Sequence, residues 1–388
     1  MAKKNSKKTV PDLRFRGFTD PWEQRQLGEV GLTYPGLSGK TKEDFGHGDA
    51  RFVTYMNVYS NAVANPDGVE AIEKDDRQHE VMNGDVFFTG SSETPDEVGL
   101  SSVWLGNSTD TYLNSFCFGY RPSKQLDSLF LASSLRSPQM RSRIILLAQG
   151  ISRFNISKTQ VMQLPLCFPS LPEQRRIGDF FSILDGLIAA AERQETLLRQ
   201  KKQAYLQLMF PQDGETEPRL RFQEFSDSWE RHQLGEVIRP IKVIPVSRYS
   251  RHGRFPVIQQ GDHPIAGYSS DEPYFQYSNV VLFGDHTLSL YRPESPFLLA
   301  SDGLKVLSCD FPGNDFLYAM LERYKPSNEG YKRHFSILKK QHCSFPSLPE
   351  QRRIGGFFST LDNLIAAAEQ RAESLRALKS AYLQRMFA

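Results

Sequence analysis

The sequence predicts an α+β protein made of two mixed modules, each a twisted sheet with short helices. Two long helices forming an antiparallel coiled coil join them, with an internal pseudo-twofold repeat. Three observations predict this. Two blocks of the chain occur twice; the longer block carries the 3.5-residue apolar period of a coiled coil; and the segments between the blocks are short β-branched and aromatic runs broken by Gly, Pro, Asn and Asp.

The repeat sets the boundaries. Residues 11–30 (PDLRFRGFTDPWEQRQLGEV) and 218–237 (PRLRFQEFSDSWERHQLGEV) are identical at thirteen of twenty positions, Trp22 and Trp229 included. Residues 171–210 and 348–387 both begin LPEQRRIG and share 28 of forty positions. The first pair is offset by 207 residues and the second by 177, so the intervening segment is 30 residues shorter in the second copy. Those segments, about 31–168 and 238–345, do not align over most of their length. The expected organisation is a basic tail (1–10), a first module (11–169), a central long helix (170–210), a polar linker PQDGETE (211–217), a second module (218–346) and a distal long helix (347–388). Two fixed frames around two divergent modules imply one task carried out on two different targets.

Each long helix opens with Ser-Leu-Pro-Glu, at Ser170–Glu173 and Ser347–Glu350. The spacing predicts a capping box, in which the Glu reaches back to the Ser amide. Beyond it, Ile177, Phe181, Leu184, Ile188, Leu198 and Tyr205 fall four and three apart, with Lys202 in an intervening slot. Ile354, Phe358, Leu361, Ile365, Leu375 and Tyr382 repeat the pattern, with Lys379 in the matching slot. An amphipathic helix cannot bury such a stripe alone, so the two seams are expected to pack together. A helix from Glu173 to Phe210 would be a rod of about 57 Å at 1.5 Å per residue.

In the modules, runs such as Arg51–Tyr55 and Val280–Phe283 predict strands, and Gly84-Asp85 and Gly284-Asp285 predict turns beside them. Basic residues cluster there. Arg141 and Arg143 flank one serine, Arg153 follows, Arg248, Arg251 and Arg254 are spaced by three, and Lys332 and Arg333 are adjacent. Such groups suit phosphate clamps or bidentate contacts to guanine, although a single surface charge is more often merely solvated.

The rest of the composition excludes more than it selects. With 47 Lys and Arg against 45 Asp and Glu, the net charge of +2 does not by itself call for a polyanionic partner. The four cysteines, Cys117, Cys167, Cys309 and Cys343, form no CxxC pair and fit a reducing cytoplasm rather than a disulfide scaffold. No secretory signal, membrane span or phosphate-binding GxxxxGK[ST] loop is apparent. The eight histidines show no metal or triad spacing, and neither a catalytic nor a metal site is assigned.

The LPEQRRI helix starts, the heptad helices, the doubled RFxxFxDxWExxQLGEV block and the divergent modules resemble, from about Pro11 onward, the specificity subunits of type I restriction-modification systems. The resemblance implies two target recognition domains, each reading one half of an asymmetric bipartite site in double-stranded DNA. The helices would serve as ruler and as docking surface for two modification (methyltransferase) subunits. It implies no catalysis and no cofactor in this chain. The partners would use S-adenosylmethionine to methylate adenine, and restriction (translocase/nuclease) subunits would use ATP and Mg to cleave. Base-reading positions are not carried over by any motif, so the contact residues rest on charge clustering. The alternatives are a coiled-coil protein–protein scaffold, which would bind no DNA, and a stand-alone nuclease, which would cleave DNA by itself with a metal.

Overall fold

A computed structural model describes residues 10–123, 125–212, 214–309, 314–328, 330 and 333–387. Of the expected basic tail, residues 1–9 lie outside the described residues, as does Lys332. The chain divides into two compact units, Met1–Ala190 with Arg371–Ala388, and Ala191–Gln370. The first unit is therefore assembled from two separate stretches of chain and the second from one.

The first unit holds a four-stranded antiparallel sheet in the order Gly31–Pro35, Cys117–Pro122, Val86–Thr89, Ser101–Val103. Beside it lies a three-stranded sheet, Val69–Ile72, Phe45–Val53, Thr111–Leu113, whose first pairing is antiparallel and second parallel. The repeated strand Glu23–Gln26 pairs antiparallel with Pro165–Phe168 at the foot of the long helix. The second unit has the same three sheets in the same order. Its four-stranded sheet is Ile238–Ile241, Leu304–Cys309, Val281–Gly284, Leu290–Tyr291. Its three-stranded sheet is Ile265–Ser269, Phe255–Ile258, Leu298–Leu299, and its foot pairs Glu230–Gln233 with His342–Phe345. Modules that do not align in sequence thus share one topology, one parallel pairing included.

The local readings need small shifts. The strand expected over 51–55 ends at Val53, because Thr54 caps a short helix, Tyr55–Ser60, by accepting from the Asn57 amide at 3.2 Å. Gly84 turns at φ +91°, a backbone that glycine adopts without penalty, and its neighbour Asp85 leads into Val86–Thr89.

The long helices are α1, Leu171–Leu208, and α2, Leu348–Met386. The capping boxes are absent in the expected form. Glu173 is 1% exposed, and both its oxygens accept from Arg14, Nε at 2.8 Å and Nη2 at 2.7 Å. Glu350, fully buried, takes Arg221 through the same two nitrogens, each at 2.8 Å. A buried carboxylate is better satisfied by the two charged bonds of a guanidinium fork than by one amide. Arg14 and Arg221 are the arginines of the repeated LRF triplet, so the two repeated blocks fasten to each other within each unit.

Inside each unit the helix segments run antiparallel. In the first, Phe180 meets Tyr382 at 5.0 Å, Phe181 meets Phe387 at 5.7 Å, and Asp185 binds Lys379. In the second, Tyr205 meets Phe357 at 5.0 Å, and Lys202 pairs with Asp362 at 2.6 Å and with Glu322. Lys202 and Lys379, like Asp185 and Asp362, stand 177 positions apart, so the ion pair is itself repeated. Ile177, Phe181, Leu184, Ile354, Phe358, Leu361 and Ile365 are buried, while Ile188, Leu198, Tyr205, Leu375 and Tyr382 are half-buried. The helix ends complete the module cores. Phe387, 5% exposed, packs with Trp22, Phe130 and Phe181; Phe210, fully buried, packs with Trp229, Phe316, Tyr324 and Phe358.

Candidate nucleic-acid interface

The basic residues singled out in the sequence separate into those holding the fold and those facing solvent. Arg141 lies on the helix Pro138–Ile145, started by the Ser137 cap. Its guanidinium donates to three carbonyls, Asp96 at 2.8 Å, Val98 at 2.9 Å and Gly99 at 2.8 Å, and burial pulls its pKa down. Arg143 on the same helix donates to the Pro165 carbonyl at 2.9 Å. Nearby Arg136 serves four carbonyls of the first module, and burial pushes it down to about 10. A guanidinium with its donors spent on backbone has few left for phosphate. The two arginines flanking one serine sit on opposite sides of this helix, Arg141 turned to residues 96–99 and Arg143 to Pro165.

Arg153 is different. It is exposed, donates to Ser91 Oγ at 3.1 Å and lies over the Phe116 ring at 5.3 Å. In the second module Arg248, Arg251, Arg254 and Arg333 are all exposed. The first three lie on a loop in which Ser250 bridges Tyr268. Three backbone bonds pin their loop to the strand Ile265–Ser269: Ser250 N to Tyr268 O at 3.0 Å, Tyr268 N to Ser250 O at 2.8 Å, and Arg254 N to Ser269 O at 3.1 Å. Glycine permits the approach, since a Cβ at Gly253 would lie 2.6 Å from the Ser269 amide nitrogen.

Aromatic side chains that the charge pattern did not reveal share this surface. Tyr249, Tyr268 and Phe275 are 46%, 37% and 61% exposed, and Phe275 meets Phe255, over which Arg254 lies at 5.1 Å. The missed signal was the interleaving of aromatics with arginines, a combination that offers stacking and phosphate contact together. Among the described residues no group of three or more His, Cys, Asp or Glu could hold a metal ion, and no helix is long and apolar enough to cross a membrane.

Comparison with known proteins accords with this build. Residues 19–199 match the family model of the type I restriction modification DNA specificity domain. A protein of Methanocaldococcus jannaschii that carries the name type I restriction enzyme MjaX specificity subunit is 22% identical over 93% of this chain and 91% of its own. In fold, the crystal structure of the type I restriction-modification S subunit from M. genitalium superposes with a TM-score of 0.65 at 16% identity, covering 98% of this chain and 99% of that one. A chain from a structure describing complex assembly and conformational transition of the type I system gives 0.50 at 20% identity, covering 95% and 98%. The matched domain and the relative that spans nearly the whole chain make this protein similar to the type I restriction-modification specificity subunits, and the second unit repeats the sheet order of the first.

Proposed function

We propose that each unit reads one half of an asymmetric, two-part DNA site and that a non-specific gap of several base pairs separates the halves. The observation that carries this is the pairing of a shared order of the three main sheets with unlike sequence. Near-identical frames hold modules whose sheets match and whose surface residues do not. The proposed contacts are Arg143 and Arg153 in the first unit and Arg248, Arg251, Arg254 and Arg333 in the second. Arg141 leaves that set, because three of its guanidinium bonds go to the module's own carbonyls, while Arg143 gives one bond to Pro165 and stays in it.

The helices are the proposed dock for two modification subunits, with restriction subunits joining the same assembly. Ile183 and Leu187 are 63% and 39% exposed on α1, and Leu364, the repeat counterpart of Leu187, is 47% exposed on α2. An exposed leucine at the same repeat position in each unit supports two equivalent partners. We assign S-adenosylmethionine, ATP and Mg to those partners and place the assembly in the cytoplasm. Methylome sequencing with and without the gene gives the motif; a palindromic or unbroken motif would refute the two-reader scheme. Replacing 31–168 with a relative's segment, joined at Val30 and Leu171, should change one half-site only. If both changed together, the units would not be independent readers.

A further inference from the structure

The first unit contains an open groove of about 560 Å³, between the ends of the four-stranded sheet and the loop before the short helix Lys158–Met162. Its lining includes Ser38, Ser91, Phe116, Arg153, Asn155 and Lys158, and among the described residues none of its lining side chains is acidic. A groove of about 520 Å³ in the second unit has the opposite character, being lined by Asp227, Glu230 and Glu236. Their charge decides between the two as places for a polyanion.

The floor of the first groove is built before any ligand arrives. Phe116 is 54% exposed, a large apolar ring left in water. Its backbone is nevertheless fixed. Its amide donates to Asn114 Oδ1 at 3.0 Å, its carbonyl accepts from the Gly90 amide at 2.7 Å, and Asn114 is anchored to the Val53 carbonyl at 3.1 Å. Gly36 lets the opposite wall close in, because a Cβ there would fall 2.0 Å from the Asn114 carbonyl oxygen. Arg153 stands on a loop closed by two bonds between Gln149 and Asn155, of 2.9 and 2.8 Å. Its side chain has an uncharged hydroxyl and an aromatic face for company, and neither it nor Lys158 has a carboxylate partner among the described residues. Two cations without carboxylate partners among the described residues, three serines and an exposed ring on a pinned backbone thus meet in one groove.

We propose that this groove is where the first unit grips its half-site. Arg153 and Lys158 take neighbouring phosphates, and Phe116 takes the apolar contact with a base from which that half-site's sequence is read. The inference rests on the DNA-reading function and names the residues that perform it in this unit.

The test uses the chain assembled with its modification subunits. The probes are duplexes carrying the recognised motif, the motif with single changes in either half, and a scrambled sequence, each titrated at several salt concentrations. With R153Q and K158Q together, binding to every duplex should fall about tenfold or more, and the log–log salt slope should become shallower by about 2, as expected when two phosphate contacts are lost. With F116A, discrimination against changes in one half-site should fall about tenfold while the other half is read as before. A purely structural role would lower the melting temperature and leave the salt slope unchanged, and that result would overturn the proposal. So would unaltered affinity and discrimination in the folded variants. If the unmodified complex binds motif and scrambled duplex alike, the DNA-reading function itself falls, and the groove with it.

Discussion

In the first unit Arg14 grips Glu173 by two bonds, and in the second Arg221 grips Glu350 by the same two. Asp185 holds Lys379 as Asp362 holds Lys202, and Phe387 fills one core as Phe210 fills the other. The surfaces proposed to read DNA show no such correspondence. One offers a groove with Phe116 and Arg153; the other offers three arginines on a loop pinned to a strand, among Tyr249, Tyr268 and Phe275. The difference teaches where a two-reader protein can vary. Buried charge and aromatic packing tolerate little exchange, whereas exposed loops on an unchanged sheet can be rewritten at small cost.

The largest effects should come from breaking the frame. Arg14→Ala and Arg221→Ala each leave a buried carboxylate without its partner, so each should cost about 3–5 kcal/mol. The two losses should be alike, and hydrogen exchange should assign each to its own unit. A large loss in one unit and none in the other would show that the repeat is not energetic. Phe210→Ala and Phe387→Ala should follow, at about 3 kcal/mol or more each, from the cavity left in an aromatic cluster.

These frame residues also mark how far the sequence could be read. The doubled blocks, the helices and most of the seam were legible, because periodicity is a local property of the chain. The Glu of LPEQ was legible as important but not in its role, because its partner Arg14 lies 159 residues away. Phe180 and Phe357 fall outside the heptad slots yet carry the contacts to Tyr382 and Tyr205. Among the basic residues, sequence clustering could not separate Arg141, wrapped by carbonyls, from Arg251, exposed on its loop. That distinction depends on which face of a short helix or loop meets the core, and no short-range pattern records it.

The same pair of residues gives a sharper test of intermediate size. Charge reversal at Arg248, Arg251 and Arg254 together should weaken DNA binding by the assembled methyltransferase tenfold or more and make its salt slope shallower. Arg141→Gln should do the reverse. It leaves the Val98 and Gly99 carbonyls short of a donor and should cost about 1–3 kcal/mol of stability, with the salt slope intact. If Arg141→Gln changed the slope and the reversal did not, the division into inward and outward arginines would be mistaken.

The smallest expected signal is a labelling rate, and it can follow the two units separately. Burial pushes the thiols of Cys117, in the first unit, and Cys343, in the second, up to about 12. Reaction with a disulfide reagent needs the thiolate, so at pH 8 only about one such thiol in ten thousand is competent even where the reagent can reach it. Cys309 is half-buried where Cys117 and Cys343 are buried, so it should label first in the native protein. Cys117 and Cys343 should label only when their own unit opens. Raising the pH from 7 to 9 should speed both as the thiolate fraction grows, yet leave both behind Cys309 as long as their units stay closed. Arg14→Ala should then speed Cys117 and leave Cys343 slow, and Arg221→Ala should do the opposite. If either substitution accelerated both thiols equally, the units would open as one cooperative body, and the independence on which two separate readings depend would have to come from their loops alone.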